Sequence, residues 1–369
     1  MPKTSETTLE IDLGALEHNY HFLRSRLKPK TMFLAVVKAY AYGSDAVIIA
    51  KKLEGLGVDY FAVAYVKEGV ALRKAGIEKP ILVLHPQVLN FDELIENCLE
   101  PSLYSPKVLR EFLEAAKRNH QKEYPVHLKF NTGLNRLGFW ENDIDYIVEL
   151  LTGRKELKVA SIFSHLAASE DMKEQEFTAQ QIKSFKKIAG QVDKKLGFRS
   201  FRHLLNTSGI LNFPEAQFDM VRSGIGLYGF GNDKEFDAEL KPVVALKTII
   251  SQMHKIEPHE SVGYNRAYTS DRNRITATLP LGHADGIGRQ YGNGKAWVNV
   301  NGKMAPIIGN VCMDMIMVDV TGIECQEGDE VIIFGEKPNA EEFASFANTI
   351  SYELITGISQ RVTRKLKGH

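Results

Sequence analysis

Several things that would narrow this chain at once are missing from it. Only three cysteines occur in 369 residues, Cys98, Cys312 and Cys325. They form no Cys-x-x-Cys pair and no metal-ligand spacing, so neither a disulfide framework nor a metal site is expected; they read as reduced thiols of a cytoplasmic protein. Excess charge is absent too: Lys plus Arg and Asp plus Glu both number 46. That balance argues against nucleic acid and against electrostatic attachment to a membrane. No apolar run is long enough to span a bilayer, and the opening MPKTSETTLE has no apolar signal core. Internal repeats and low-complexity segments are lacking.

What is present is a large apolar fraction, 44% of a chain too long for one typical domain. The most informative stretch is MFLAVVKAYAYG, Met32 to Gly43. Met32–Val37 is an unbroken apolar run of strand length, the mark of a strand buried on both faces. It ends on Lys38. An ammonium at the mouth of a core has its pKa lowered by desolvation, which frees the amine for Schiff-base chemistry. Taken alone, Lys38 reads better as a surface lysine that happens to end a strand, because most lysines are solvated.

The rest of the first 230 residues repeats this pattern. Asp12 caps an amphipathic helix carrying Leu13, Leu16, Tyr20, Leu23 and Leu27 at steps of three and four, and Pro29 ends it. Further strands are expected at Tyr60–Ala64, Ile81–Leu84, Pro101–Tyr104, Val126–Phe130, Val159–Ser164, Arg202–Leu205 and Met220–Arg222, with helical stretches in most gaps. Eight strands alternating with helices predict a closed TIM-type (β/α)8 barrel over 12–230. An open doubly wound sheet fits less well, because no Gly-x-Gly-x-x-Gly turn follows the first strand. After Phe230 helical periodicity nearly disappears. Runs at Val243–Met253, Ile275–Leu279, Ala296–Val300, Met304–Ile308, Ile316–Val320 and Val331–Phe334 predict a mostly β C-terminal domain over 240–369. Gly231–Glu239 is the expected linker, and residues 1–11 are a candidate to join the β domain.

Barrel active sites lie at the carboxyl ends of the strands. Those ends carry Lys38 and Tyr42; Lys129, with Asn135 and Arg136 beyond; Ser164 and His165; His203, Asn206, Thr207, Ser208 and Gly209; and Arg222, Ser223 and Gly224. A lone histidine is more often structural and a lone arginine more often an ion-pair partner; their convergence on one face is harder to dismiss. The loops after strands seven and eight, Asn-Thr-Ser-Gly and Arg-Ser-Gly-Ile-Gly, offer the hydroxyls and unhindered N–H groups that a phosphate needs, although Gly and Ser also simply form turns. A phosphorylated ligand beside a strand-end lysine suggests pyridoxal 5′-phosphate. A phosphosugar aldolase fits the same features up to this point.

The motifs decide between them. VVKAYAYG, LKFNTGLNRLGF, FSHLAASE, NTSGIL, VRSGIGLYG, SVGYNRAY, GHADGIGR, GNVCMDMIMVD and ISYELITGISQRV occur in family order across both expected domains, and the chain resembles alanine racemase over essentially its whole length. The resemblance implies that Lys38 carries the cofactor and serves as one base, and that Tyr264, supplied by the partner subunit of a homodimer, is the second. It implies phosphate contacts from Tyr42, Thr207, Gly224, Ile225 and Tyr352, with Asn206 nearby. His165 would lie against the cofactor ring and Arg222 would face the pyridine nitrogen. Arg136 and the backbone N–H of Met313 would hold the substrate carboxylate, and Lys129 matches a position carbamylated in some members. The implied reaction interconverts L- and D-alanine, supplying D-alanine for peptidoglycan.

Four positions depart from the family pattern. Tyr40 stands for Asp or Asn, Ser44 for His, Thr207 for Ser, and His283 for a tyrosine that lines the substrate entrance. The last leaves substrate range open. A tyrosine acts as a base only near deprotonation, since the phenol's reference pKa is ~10; a cationic neighbourhood of His165, Arg222 and His203 is expected to provide this. The competing readings are a non-catalytic carrier of the same cofactor, which would not need the β domain, and a decarboxylase of similar architecture, which would pair an acid rather than Arg222 with the pyridine nitrogen. A racemase of another small amino acid such as serine is the nearest rival.

Overall fold

The computed structural model of the protein describes residues 6–367. It divides into two compact units. One holds Glu17–Ala41 and Ala46–Lys241; the other holds the segment up to Leu16, Tyr42–Asp45, and the chain from Pro242 onward.

A short strand, β1 (Thr8–Ile11), precedes the barrel strands β2 (Met32–Val36), β3 (Tyr60–Val63), β4 (Ile81–Val83), β5 (Glu100–Leu103), β6 (Tyr124–Lys129), β7 (Leu157–Phe163), β8 (Phe201–His203) and β9 (Met220–Ser223). Sequence neighbours pair in parallel and β9 returns to β2, with Leu34 opposite Arg222, which closes the expected eight-stranded barrel. Apolar runs in β2 to β4 are explained by burial on both faces: Phe33, Leu34, Phe61, Leu82 and Val83 are fully buried. Each such side chain stabilises the fold by ~1.5–3 kcal/mol relative to exposure.

The helix Pro106–Arg118 illustrates the outer ring. Ser105 accepts the Val108 N–H at 3.3 Å, Pro106 occupies the first turn, and Lys117 and Arg118 close the last. Its buried face comprises Val108, Leu109, Phe112, Leu113, Ala115 and Ala116. Ser105→Ala would cost about 1 kcal/mol of that helix's stability. The short gap after Leu205 does form a helix, Thr207–Asn212, because the Asn206 side chain caps the Gly209 N–H at 2.9 Å. The expected linker contains a short helix, Lys234–Asp237.

The second unit contains β10 (Val244–Ile249), β11 (Gln252–Ile256), β12 (Ser261–Val262), β13 (Tyr268–Thr269), β14 (Arg274–Leu279), β15 (Trp297–Val300), β16 (Lys303–Ile308), β17 (Ile316–Asp319), β18 (Glu330–Phe334) and β19 (Thr363–Leu366). Nine strands form one sheet in the order β11-β14-β17-β16-β15-β18-β10-β1-β19, and β12 pairs with β13 alone. β1 lies antiparallel to β10 and parallel to β19. The run Val243–Met253, expected as one strand, splits in two: Ile250 N–H bonds to Asp329 O while Ser251 N–H bonds to Thr278 O, so the chain changes neighbours there. Two helices, Ala340–Ser345 and Ser351–Thr356, interrupt the β texture. Both are too short to leave a 3.6-residue pattern, although Asn339 and Glu342 form a capping box at the first. Among the described residues no helix is long and apolar enough to cross a membrane.

Candidate active site

The site begins where β2 stops. Lys38 follows the barrel strand, and Ala39, Tyr40, Ala41 and Tyr42 then take left-handed backbone angles, with φ of 53°, 55°, 53° and 54°. Gly43 continues at φ 81°. Non-glycine residues there cost ~1–2 kcal/mol apiece, so the turn must be over-determined by its surroundings. Ala41 N–H bonds back to Val37 O at 3.0 Å. The Glu68 carboxylate accepts the N–H groups of Ala39 at 2.7 Å, Ala64 at 2.7 Å and Tyr65 at 3.0 Å. Two barrel loops are thereby tied together beside Lys38. Its amine has no ion pair or hydrogen bond among the described residues. Burial, and then the Arg136 cation, pull its pKa below that of a solvated lysine, while Glu68 opposes them.

Arg222, at the end of β9 and 4% exposed, is the hub of the barrel mouth. Its Nη1 lies 2.7 Å from His203 Nδ1. Its Nη2 donates to Ser164 O at 2.8 Å and Leu204 O at 3.0 Å, and meets His165 Nδ1 at 3.1 Å. Burial lowers its pKa to about 9, and the delocalised guanidinium stays charged at neutral pH. Its Nε–H makes no hydrogen bond among the described residues.

The expected cationic neighbourhood is corrected here. Burial, Arg222 and the nearby lysines hold His165 well below the usual imidazole range. Burial, Arg222 and His127 do the same to His203. Both rings are therefore neutral at pH 7, and both accept from Arg222 through Nδ1. Arg222 is the only cation of the three.

Lys129 ends β6, 6% exposed, with no hydrogen-bond or ion-pair partner among the described residues. Burial, then Arg136, Arg222 and Lys38, push its pKa down to about 8. Arg136 is carried on a loop built by Asn131, whose side-chain oxygen accepts from Gly133 N at 3.2 Å and Asn135 N at 3.0 Å. It is exposed, with its guanidinium uncommitted among the described residues.

The two expected phosphate loops meet. Thr207 Oγ1 lies 3.0 Å from Ser223 Oγ and accepts the Gly226 N–H at 3.3 Å. A Cβ at Gly226 would sit 2.5 Å from Thr207 Cγ2, so only glycine permits that approach. The N–H groups of Thr207, Ser208 and Ile225 reach no acceptor among the described residues.

Within the β-rich unit, the rings of Tyr42 and Tyr352 lie 6.1 Å apart, centroid to centroid. Tyr264 is 73% exposed, followed by Asn265 and Arg266 at φ 58° and 48°; its carbonyl accepts from Asn310 Nδ2 at 3.1 Å. Met313 is 58% exposed. The exposed His283 donates its N–H to Cys312 O at 3.0 Å, and Ala284 donates to Met313 O at 3.0 Å. No group of His, Cys, Asp and Glu capable of holding a metal occurs among the described residues.

Glu68 escaped the sequence reading, as did the polar residues lower in the barrel, Glu100, His127 and Ser161. The signal for His127 and Ser161 was alternation: His127 and Lys129 on β6, like Ser161 and Phe163 on β7, are two apart and share the inward face of the barrel.

A strand-end amine held low among cations, on the catalytic face of a (β/α)8 barrel, defines an enzyme that works by covalent attachment of a carbonyl compound to lysine. Known proteins narrow that class. The model of the alanine racemase N-terminal domain matches residues 11–231, and that of the C-terminal domain matches 243–366. The chain belongs to the alanine racemase family. It is 37% identical over 368 residues to an alanine racemase of Clostridium novyi, covering 96% of this chain and 94% of the relative. The solved alanine racemase of Clostridium difficile 630 superposes with a TM-score of 0.92 at 33% identity, over 98% of this chain and 96% of that one. That of Bartonella henselae, solved with covalently bound pyridoxal phosphate, gives 0.90 at 29% identity, over 98% of this chain and all of that one.

Proposed function

We propose that this protein interconverts L- and D-alanine with pyridoxal 5′-phosphate, Lys38 and Tyr264 serving as the two bases. The observation that carries the reading is the unpartnered Lys38 amine, lowered in pKa by burial and Arg136. The residues fit the cofactor. Lys38 offers an amine for its aldehyde, Arg222 an unsatisfied Nε–H for its ring nitrogen, and the 207–208 and 225 backbone N–H groups donors for its phosphate. When bound, the cofactor supplies an electron sink that acidifies the α-hydrogen of the amino acid.

The chain's own groups then have separable tasks. Lys38 would anchor the cofactor, and its amine would take or return a proton on one face. Tyr264, supplied by the partner subunit of a homodimer, does so on the other. Two different bases on opposite faces allow passage in both directions. Arg222 gives the pyridine nitrogen a hydrogen bond but surrenders no proton, because a guanidinium holds its charge far better than pyridine does. Leaving that nitrogen unprotonated restrains charge delocalisation and so disfavours side reactions such as transamination or decarboxylation. His165 would lie against the cofactor ring. Arg136 and the Met313 N–H hold the substrate carboxylate; a guanidinium suits this through its bidentate geometry. Asn206, Thr207, Gly224, Ile225, Tyr42 and Tyr352 are the residues that would hold the phosphate. A cytoplasmic enzyme supplying D-alanine for peptidoglycan is the biological setting this reading supports.

The test is a chiral assay of the purified holoenzyme against a panel of L-amino acids. D-Alanine should form fastest. Serine racemised faster than alanine would move the assignment to the nearest rival, and no racemisation of any amino acid would leave only a carrier of the cofactor.

A further inference from the structure

Below the mouth of the barrel, five buried polar side chains on consecutive strands form one hydrogen-bonded file. Arg222 on β9 reaches His203 Nδ1 on β8 at 2.7 Å. His203 Nε2 lies 2.8 Å from Ser161 Oγ on β7. Ser161 Oγ lies 2.6 Å from His127 Nδ1 on β6, and His127 Nε2 lies 2.6 Å from Glu100 Oε2 on β5. None of the five is more than 8% exposed.

With both imidazoles neutral, the chemistry of the two ends orders every proton between them. A guanidinium has donors only, so His203 must accept through Nδ1 and, being neutral, carry its proton on Nε2. That proton goes to Ser161, whose single hydroxyl hydrogen is then left for His127 Nδ1. His127 in turn carries its proton on Nε2 and gives it to the Glu100 carboxylate, which has acceptors only. The file runs one way, from a cation to an anion through two imidazoles and a hydroxyl. Hydrogen bonds aligned in this sense polarise one another, so the Glu100 charge makes His203 Nδ1 a better acceptor for Arg222.

We propose that Ser161, His127 and Glu100 are positioning residues for Arg222. They lock His203 in the Nε2–H tautomer, which holds Nη1 and leaves the guanidinium's Nε–H as a fixed donor at the barrel mouth. Stacking supports the same ring: His203 lies face to face with Phe163, centroids 4.6 Å apart and planes within 6°. The other tautomer of His203 would turn an N–H toward the guanidinium, and Arg222 would lose its anchor. The role is an inference that rests on Arg222 serving the pyridine nitrogen; the proton positions do not depend on that reading.

Neutron diffraction from the deuterated holoenzyme reads those positions directly. Deuterium is expected on Nε2 and not on Nδ1 of both His203 and His127, with the Ser161 deuteron aimed at His127. Deuterium on Nδ1 of either ring overturns the proposal. The functional arm uses Ser161→Ala, Ser161→Thr and the nearly isosteric Glu100→Gln, with kcat and KM for alanine and the cofactor's visible absorption recorded for each. Ser161→Ala should lower kcat on the order of tenfold, as loss of one hydrogen bond predicts. KM should stay within about twofold, the mark of an interaction outside ground-state binding. Ser161→Thr, which restores a hydroxyl, should recover most of the loss, and Glu100→Gln should shift the absorption of the bound cofactor. Unchanged kcat in Ser161→Ala together with unchanged absorption in Glu100→Gln overturns the proposal. Failure of the Arg222 reading is distinguishable: Arg222→Lys would then leave the absorption and kcat untouched while the proton positions remained as stated.

Discussion

Lys129 and Arg222 lie over the same aromatic ring. The Lys129 Nζ is 5.8 Å and the Arg222 Cζ 5.4 Å from the centroid of Phe163. Two buried cations sharing one ring, with no carboxylate partner among the described residues and with the Arg136 charge acting on Lys129 as well, is an arrangement that electrostatics opposes. The ring quadrupole offsets only part of it, since a cation–π contact contributes ~0.5–2 kcal/mol.

Lys129 should therefore be carbamylated. Its pKa of about 8 leaves roughly a fifth of the amine neutral just above pH 7, by the ordinary titration relation. That neutral amine attacks carbon dioxide: the N–C bond forms, one N–H proton leaves to solvent, and the cation becomes an anion between two arginines. Unmodified, the group would weaken the fold. Between about 8 and the usual lysine value the unfolded chain holds a proton that the folded one lacks, so stability rises with pH through that window. At neutral pH the penalty, about 3 kcal/mol, is fully present. Intact mass in bicarbonate buffer should show one added carbon dioxide, and Lys129→Met should be less stable than the parent. An unmodified mass with a more stable Met variant would refute this.

The two mouth histidines make a separate pH prediction. His165 and His203 have folded-state pKa values well below those of unfolded histidines, from burial and then Arg222. Below pH ~6.5, the reference value, the unfolded chain binds protons that the folded chain refuses, so stability falls as the pH drops. Each contributes a slope of up to about 1.4 kcal/mol per pH unit. Urea midpoints measured from pH 7 to 5 should fall for the parent and less steeply for His165→Gln. Parallel profiles would mean that His165 is protonated in the folded protein.

If Lys38 is both general base and anchor, Lys38→Ala should abolish racemisation; a loss of at least ~10³-fold is expected. The visible absorption of cofactor bound to lysine should vanish with it. If both persist in the variant, another amine does this work.

The sequence made the barrel legible because β2 to β4 are apolar on both faces and eight strands alternate with helices. The strand-end residues were legible because the barrel's closure places Lys38, Lys129, His203 and Arg222 at predictable ends. The left-handed turn at Ala39–Tyr42 was not. Alanine and tyrosine carry no preference for positive φ, and only Gly43 hinted at it. That conformation is imposed from outside the segment, by Glu68 and the Val37 carbonyl. The charge state of the histidines was equally hidden, since for His165 it depends on burial and on four cations, Arg222, Lys129, Arg136 and Lys38, brought together only by folding. The break at Ile250–Ser251 arises from exchanged partners, which no local propensity records.

If the active site is shared across a homodimer, complementation follows. Lys38→Ala and Tyr264→Phe subunits, each inactive alone, should regain activity when allowed to exchange. A mixed dimer holds one site with both lesions and one with neither, so its turnover should approach half that of the parent. Tyr264 is 73% exposed in the chain, as a residue serving a partner would be. Mixed dimers that form, by native mass, but stay inactive would place both bases in one subunit.

Gly282 is expected to control how the substrate carboxylate is met. A Cβ there would lie 2.3 Å from Cys312 O and 2.5 Å from Met313 O, distances that atoms do not tolerate. Its backbone is extended, so the requirement comes from close approach rather than from φ. The same two carbonyls accept the N–H groups of His283 and Ala284, which pins the His283 loop to the Met313 bend between β16 and β17. Asp285 adds a second tie, accepting two bonds from Arg361, at 2.7 Å from Nε and 2.9 Å from Nη2. Arg361 also reaches Asp314 at 2.7 Å, next to Met313. Gly282→Ala must therefore push either the loop or Met313 aside, while the Arg361 pairs keep the region folded. Overpacking of this kind costs ~1–3 kcal/mol, a modest fall in Tm for a chain of this size. If the Met313 N–H binds the carboxylate, KM for alanine should rise on the order of tenfold, the value of one misplaced hydrogen bond, with kcat less affected. A Gly282→Ala enzyme with lowered Tm but an unchanged KM would remove Met313 from the substrate site.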